Sequence, residues 1–169
     1  MFNQDQSTEM LLSHKEFTAN LNSRTKELEL AAKTLNALSE LKNINNQDWF
    51  DRLIEKEVHG ELSEIAYALR VHLKESTVHC KDKCWHETRR EVFEVSKSLD
   101  RLSERIMEAV EPIRLENKDL SMKVKSEISA TEMRIVKAKI SFIASGISIL
   151  SRSLARAENL AASINISQA

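Results

Sequence analysis

The chain of 169 residues is long enough for one domain with a sizeable buried core. It contains only two glycines and one proline, whereas 30% of its residues are charged. Folds with many tight turns need more glycine and proline, because these residues supply the backbone angles that turns require. The composition therefore predicts an all-α protein of three to four long helices, packed as an antiparallel helical bundle or an elongated coiled coil.

Acidic and basic residues are interspersed along the chain, and the formal net charge is −1. Proteins that bind the nucleic-acid backbone need clustered Lys and Arg, so we expect no nucleic-acid partner. The first ten residues, MFNQDQSTEM, lack the basic and apolar regions of a secretory signal. We expect a cytoplasmic protein, with export that needs no cleavable signal peptide as the alternative.

The first predicted helix shows one apolar seam. From Met10 to Leu38 the seam residues follow one another at alternating intervals of four and three, and only His14 and Arg24 interrupt the apolar pattern. An asparagine-rich stretch follows at residues 43–48 and favours a turn. We predict a polar tail at residues 1–7 and a helix at about 8–42.

Two further helices are predicted in the middle of the chain. One apolar pattern continues across Gly60 and indicates a helix at about 47–76, and another indicates a helix at about 82–111. The two seams are out of phase by one position, and a straight helix cannot change its seam without rewinding or breaking. Residues 76–84 are therefore either a turn between two helices or a stutter in one long helix.

The last predicted helix follows Pro112. A proline inside a helix removes a backbone donor, so Pro112 marks a kink or a helix start, and we predict the last helix at about 113–165. From residue 140 onward this helix is apolar or small on most sides. Its predicted seam includes Ile135, Ala138, Phe142 and Ile149, followed by Leu154 and either Leu160 or Ala161.

This apolar helix is the candidate interface. So apolar a surface is rarely left in water, and Ala144, Ser145 and Gly146 would let another backbone approach closely. We expect self-association or contact with another helical protein. The alternative is that this helix is simply the most buried member of the bundle. The predicted contact residues are Phe142, Ile143, Ile147 and Leu150.

A membrane surface is an alternative partner for the same helix. Residues 140–166 would contact the lipid, and the basic residues of the stretch 114–139 would act as an electrostatic tether. The longest apolar run is too short to span a bilayer, so the helix is not expected to be transmembrane.

Both cysteines lie in the sequence VHCKDKCWHE, residues 78–87, beside two histidines. In a helix, successive residues are about 100° apart, so Cys80 and Cys84 share one face whereas His79 and His86 share another. Four ligands on two faces of one helix cannot converge on one ion. We expect partly buried thiols and solvated histidines. The alternatives are a metal site formed by His79, Cys80, Cys84 and His86, or a redox role of the two thiols.

The sequence offers no other chemical site. With glycines only at positions 60 and 146, it contains neither a glycine-rich phosphate loop nor a nucleophile elbow. We expect no enzyme and no cofactor, and favour a coiled-coil interaction or assembly protein: an adaptor, a chaperone or a structural subunit. Two alternatives stay open. One is a leaderless bacterial secreted protein, a type III-like substrate or translocator, and the other is a thiol or metal sensor that uses Cys80 and Cys84.

Overall fold

The computed structural model describes the backbone of residues 4–41, 54–76, 83–118 and 130–164, and it describes the side chains from residue 14 and, in the third of these ranges, up to residue 112. These residues form long helices and contain no strand, which confirms the all-α prediction. The helices are α1 (Gln4–Ser39), α2 (Gly60–Glu75), α3 (Lys83–Lys118) and α4 (Ala130–Ser163), and a π-helical segment, Ile54–His59, leads directly into α2.

The four helices form a ring in chain order. Helix α4 packs between α1 and α3, and α2 packs between the same two helices on the opposite side. Helices α1 and α4 are antiparallel: Asn22, midway along α1, donates a hydrogen bond of 3.1 Å to Glu158 near the end of α4. At the other end of this pair, Lys137 donates to the backbone carbonyl of Leu41.

Helices α2 and α3 are also antiparallel. Arg70 and Asp100 form an ion pair of 2.6 Å, and the hydroxyl groups of Ser63 and Ser103 lie 3.1 Å apart. Helix α2 ends where Ser76 takes an extended conformation, with φ −65° and ψ 109°. The chain therefore reverses between α2 and α3, so the two predicted patterns belong to two helices rather than to one helix with a stutter.

The core is formed by the seams that the sequence predicts in α1, α2 and α3. In α1 the seam interruptions are accommodated: His14 is buried at the end of the core, and Arg24 is half-buried at its edge. Six apolar residues of α1 and α3 that the pattern assigns to the core are all buried. They are Leu21, Leu35, Val92, Leu99, Leu102 and Ile106.

The helix boundaries differ from the prediction at Pro112. This proline lies inside α3, which continues to Lys118, so it does not mark the start of the last helix. A proline within a helix costs about 3 kcal/mol. Ala109 and Val110, directly before it, are buried in the core and anchor this turn of α3. Helix α4 begins at Ala130, and residues 119–129 of the predicted last helix lie outside the described part of the chain.

The predicted seam of α4 is correct at Leu154 and Ala161 but wrong in its earlier part. Ile135, Phe142 and Ile149 are exposed, although the seven-residue spacing assigns them to the core. The core-facing side of α4 is largely a different set of residues, several of them small. It includes Val136, Ile140, Ile143, Ala144, Ile147, Leu154, Ala157 and Ala161.

Candidate interaction surface on helix α4

Four large apolar side chains of α4 lie at the protein surface. Their exposed fractions are 50% for Ile135, 73% for Phe142, 55% for Ile149 and 37% for Leu160. We call these four residues the outer stripe. A single exposed apolar residue is ordinary, whereas four on one side of a helix call for an explanation.

The spacing of the outer stripe places its members in one line. The intervals are seven, seven and eleven residues, each within about 20° of a whole number of helical turns, so all four residues lie within a sector of about 40°. From Ile135 to Leu160 the stripe is about 37 Å long. So narrow an apolar line is typical of a coiled-coil seam rather than of a face that packs on a globular core.

The opposite side of α4 is already occupied. Ile140, Ile147 and Leu154 are fully buried against the rest of the bundle. Helix α4 is therefore apolar on two sides, and only one of them is covered by the described helices. The second side is the outer stripe.

Basic side chains border the outer stripe. On the helix, Arg134, Arg152 and Arg156 lie to one side of it and Lys139 to the other, and all four are exposed. Every charged residue between positions 133 and 157 is Lys or Arg. Among the described residues, no ion pair involves these four side chains, and Arg156 donates a hydrogen bond of 3.1 Å to Ser153. Their charges are available to a partner.

The structure divides the predicted contact residues between the surface and the core. Phe142 is the most exposed member of the outer stripe, and Leu150 is half-buried against the core. Ile143 and Ile147 are 3% and 0% exposed, so they cannot reach a partner while the bundle is closed. The candidate surface is therefore the outer stripe. The seven-residue spacing of its first three members is visible in the sequence, where it predicts a core seam instead.

The small residues of α4 serve packing inside the bundle. Ala144 is fully buried, and a methyl group added to Gly146 would lie 3.4 Å from both terminal carbons of Leu102 on α3. Small side chains at these positions bring α3 and α4 close together. They are thus used between helices of one chain, and the outer stripe relies on large residues instead.

The cysteine and histidine cluster is only partly described. His79 and Cys80 lie outside the described residues. Cys84 is half-buried against the core, whereas His86 is exposed on another side of α3. Within the described ranges, no three His, Cys, Asp or Glu side chains lie close enough together to hold a metal ion. The metal and redox hypotheses therefore remain predictions.

Trp85, which stands between Cys84 and His86, is a core residue. It is 1% exposed, and its ring contacts Phe17 edge-on at a centroid distance of 5.1 Å. The guanidinium of Arg89 lies 5.9 Å from the same ring. This aromatic contact joins α1 to α3 across the bundle and accounts for the tryptophan of this motif without any bound ligand.

His14 lies in the same aromatic cluster. Its ring centroid is 5.8 Å from that of Trp85, and neither ring nitrogen makes a hydrogen bond of normal geometry. Burial lowers the pKa of His14, because the charged imidazolium would lose its hydration, and the nearby Ala161 carbonyl offsets part of this effect. The imidazole is therefore neutral in the folded protein at pH 7.

A second histidine, His72, is half-buried between α1 and α2. The Nδ1 atom of His72 is 3.4 Å from the side-chain amide of Asn20, and its Nε2 atom is buried without a partner. Burial lowers the pKa of His72, and the positive charge of Arg24 lowers it further. Like His14, this residue is a histidine whose protonation the fold disfavours.

Comparison of the chain with protein-family models, curated proteins and solved structures gives no match. None of the described helices combines the length and the hydropathy that a membrane span needs. What the chain does must therefore be inferred from its own surface.

Proposed function

We propose that the protein is a non-enzymatic interaction or assembly protein, in which a four-helix bundle presents the outer face of α4 to another helix. The observation that supports this proposal is the outer stripe. Its four apolar residues lie in one line, and the covered side of the same helix already supplies the contacts that hold the bundle together. The stripe is not needed for the fold, so its apolar character calls for another explanation.

Helix packing explains the shape of the stripe. A helix placed along it would insert side chains between Ile135, Phe142 and Ile149, in the way that knobs of one coiled-coil strand enter holes of another. Contacts of this kind cross at about 20°, so they persist over many turns of a long helix. The partner is either a second copy of the chain or another helical protein. The chain itself would then be an adaptor, a chaperone or a structural subunit.

The test is a pair of variants that places charge in the stripe or elsewhere. The double variant Phe142→Glu with Ile149→Glu should remove binding, because two carboxylates would have to be desolvated on contact. Leu30→Glu is the matched control, since Leu30 is 65% exposed on α1, outside the stripe. Both proteins should keep the helical circular dichroism of the wild type.

Two readouts cover the two kinds of partner. Light scattering after size-exclusion chromatography measures self-association from 1 to 100 µM, and fluorescence anisotropy measures the binding of labelled helical peptides. We expect at least one of these associations for the wild type and for Leu30→Glu, but neither for the double variant. Equal association of all three proteins would contradict the proposal, as would a wild type that shows neither.

A further inference from the structure

We infer that the occupant of the outer stripe is an amphipathic helix of another protein whose apolar seam is bordered by Asp and Glu. This inference rests on the proposed function and names the partner of the same surface. Many amphipathic helices could pack on the apolar stripe. The charges around the stripe favour those with acidic borders.

The charges beside the stripe are one-sided over most of its length, and Glu132, exposed three residues before Ile135, adds an acidic side chain only at the N-terminal end. Arg134, Arg152 and Arg156 border one edge, Lys139 borders the other, and residues 133–157 contain no acidic residue. The chain as a whole is nearly neutral, with 25 basic and 26 acidic residues. The positive border is therefore a local feature of this surface. Complementary charge raises the association rate and disfavours wrong partners, and acidic flanks are the complement.

A second copy of the chain fits this surface less well. In either a parallel or an antiparallel pairing of two α4 helices, the border of one stripe would face the border of the other. Since both borders carry only Lys and Arg between residues 133 and 157, like charges would face each other. The apolar seam favours a helix as partner, and the border disfavours this particular helix.

A lipid surface fits less well for a reason of shape. Helices that lie in a membrane interface bury a broad apolar face, whereas the outer stripe covers about 40° of α4. The other large apolar residues of the helix, such as Ile140 and Ile147, are held in the core. A narrow line of about 37 Å matches a partner helix of about 25 residues.

The experiment uses two designed peptides of 28 residues with the same Leu and Ile seam. One carries Glu at all positions that border the seam, and the other carries Lys. Binding to the full-length protein is measured by fluorescence anisotropy at 50 mM and 500 mM NaCl. We expect the Glu peptide to bind at least about tenfold more tightly at low salt, and the difference to shrink at high salt because the border charges are exposed and screened.

Three variants connect the preference to the border. Reversing the border with Arg134→Glu, Lys139→Glu, Arg152→Glu and Arg156→Glu together should invert the preference for the two peptides. The milder pair Lys139→Gln with Arg152→Gln should reduce the preference, and it guards against loss of folding in the fourfold variant. Lys33→Glu is the control, because Lys33 is an exposed cation of α1 outside the border.

The outcomes separate this inference from the proposed function. Equal binding of both peptides, or self-association through the stripe with no binding of the Glu peptide, overturns the acidic partner but retains an interaction protein. Binding only to vesicles of 70% phosphatidylcholine and 30% phosphatidylserine, lost in Phe142→Glu, overturns it in favour of a membrane. If the wild type binds no peptide and no vesicle and stays monomeric, both proposals are wrong.

Discussion

Helices α3 and α4 have similar lengths, 36 and 34 residues, but they use their apolar residues differently. In α3 the large apolar side chains with described surroundings are buried along one seam, with Phe93 as the exposed exception. Even there, the ammonium of Lys97 lies 5.1 Å from the centre of the phenyl ring. In α4 one apolar side is buried and a second is exposed. The sequence of α3 is thus explained by folding, whereas the sequence of α4 is explained only in part.

The difference has a cause in side-chain size. The core side of α4 contains Ala144, Ala157 and Ala161 as well as larger residues, and these three alanines are fully buried. Small residues let the backbones of α1 and α3 come close, so little room remains there for side chains as large as phenylalanine. The large residues Phe142 and Ile149 lie outside instead. An apolar residue that the fold does not use points to a contact beyond the chain.

The largest expected effect on stability comes from comparing the same substitution on the two sides of α4, at positions only two residues apart. Ile147 is fully buried and Ile149 is 55% exposed. Ile147→Glu places an unpaired charge in the core and should cost more than about 4 kcal/mol, which is comparable to the whole stability of a small domain. Ile149→Glu should change the free energy of unfolding by about 0.5 kcal/mol or less, as surface substitutions do.

Thermal unfolding followed by circular dichroism measures both variants. Ile147→Glu should lose its cooperative transition or unfold at a much lower temperature, and Ile149→Glu should unfold close to the wild type. A similar loss in both variants would show that the outer stripe is part of the core, and the distinction between the two sides of α4 would fail.

The next largest effect compares the seam of α3 with the outer stripe. Leu99 is fully buried, so Leu99→Ala should lower the free energy of unfolding by about 2–5 kcal/mol through lost burial and the cavity that remains. Phe142→Ala removes a larger side chain, but one that is 73% exposed, and should cost about 0.5 kcal/mol or less. Urea titration gives both values. A larger loss for Phe142→Ala than for Leu99→Ala would reverse the comparison.

A smaller loss of stability is expected on acidification. One of the two histidines involved, His14, lies where α3 and α4 both approach α1. The pKa values of His14 and His72 are lowered in the folded protein from 6.5. The unfolded chain therefore binds more protons between the folded pKa values and 6.5, and the free energy of unfolding must fall as the pH falls through this window. About one unit or more above pH 6.5, both imidazoles are almost entirely neutral in either state, and this contribution is nearly constant.

Chemical unfolding at pH 7.5, 6.5 and 5.5 tests the sign. The wild type should be most stable at pH 7.5 and least stable at pH 5.5, and His14→Leu with His72→Gln should flatten this dependence. Glu61 works in the opposite direction, since burial raises its pKa from 4.5, but this shift acts at the acid end of the range. Increasing stability on acidification to pH 5.5 would contradict the assignment of neutral histidines.

The sequence was sufficient for the parts of the fold in which each helix has one apolar seam. In α3, residues such as Val92, Leu99 and Ile106 recur at the helical period and have no competing line, so periodicity alone identifies the buried side. It was not sufficient for the position of Pro112. Whether a proline ends a helix depends on tertiary contacts that compensate for the lost hydrogen bond, and no local pattern reports them.

The sequence predicts an interface on α4, and of its predicted contact residues the structure exposes Phe142 but buries Ile143 and Ile147. Helix α4 contains two lines of apolar residues, and periodicity cannot tell which line faces the core. The seven-residue spacing favours Ile135, Phe142 and Ile149, whereas packing against α1 and α3 buries the line that contains Ile140, Ile147 and Leu154. Such a choice depends on the shape of the neighbours and is settled only by the assembled bundle.

The smallest expected effect lies at the contact between α3 and α4. Gly146 has no positive φ, so an alanine fits its backbone, and the added methyl group would meet both terminal carbons of Leu102 at 3.4 Å. This is an ordinary van der Waals distance, so the gain in helix propensity should dominate. Gly146→Ala should raise the free energy of unfolding by up to about 1 kcal/mol. Gly60→Ala is the control, since its added methyl group would come no closer than 3.7 Å to the Glu55 carbonyl oxygen.

A leucine at the same position would have the opposite effect. Gly146→Leu must push Leu102 aside and should cost about 1–3 kcal/mol, as overpacking of a filled core does. Urea titration of the alanine and leucine variants then measures how closely the two helices approach. If Gly146→Ala already destabilises the protein while Gly60→Ala does not, α3 and α4 lie too close together at Gly146 to accept even a methyl group. If Gly146→Ala and Gly146→Leu both stabilise the protein, room remains between the helices. The small residues of α4 would then need another explanation.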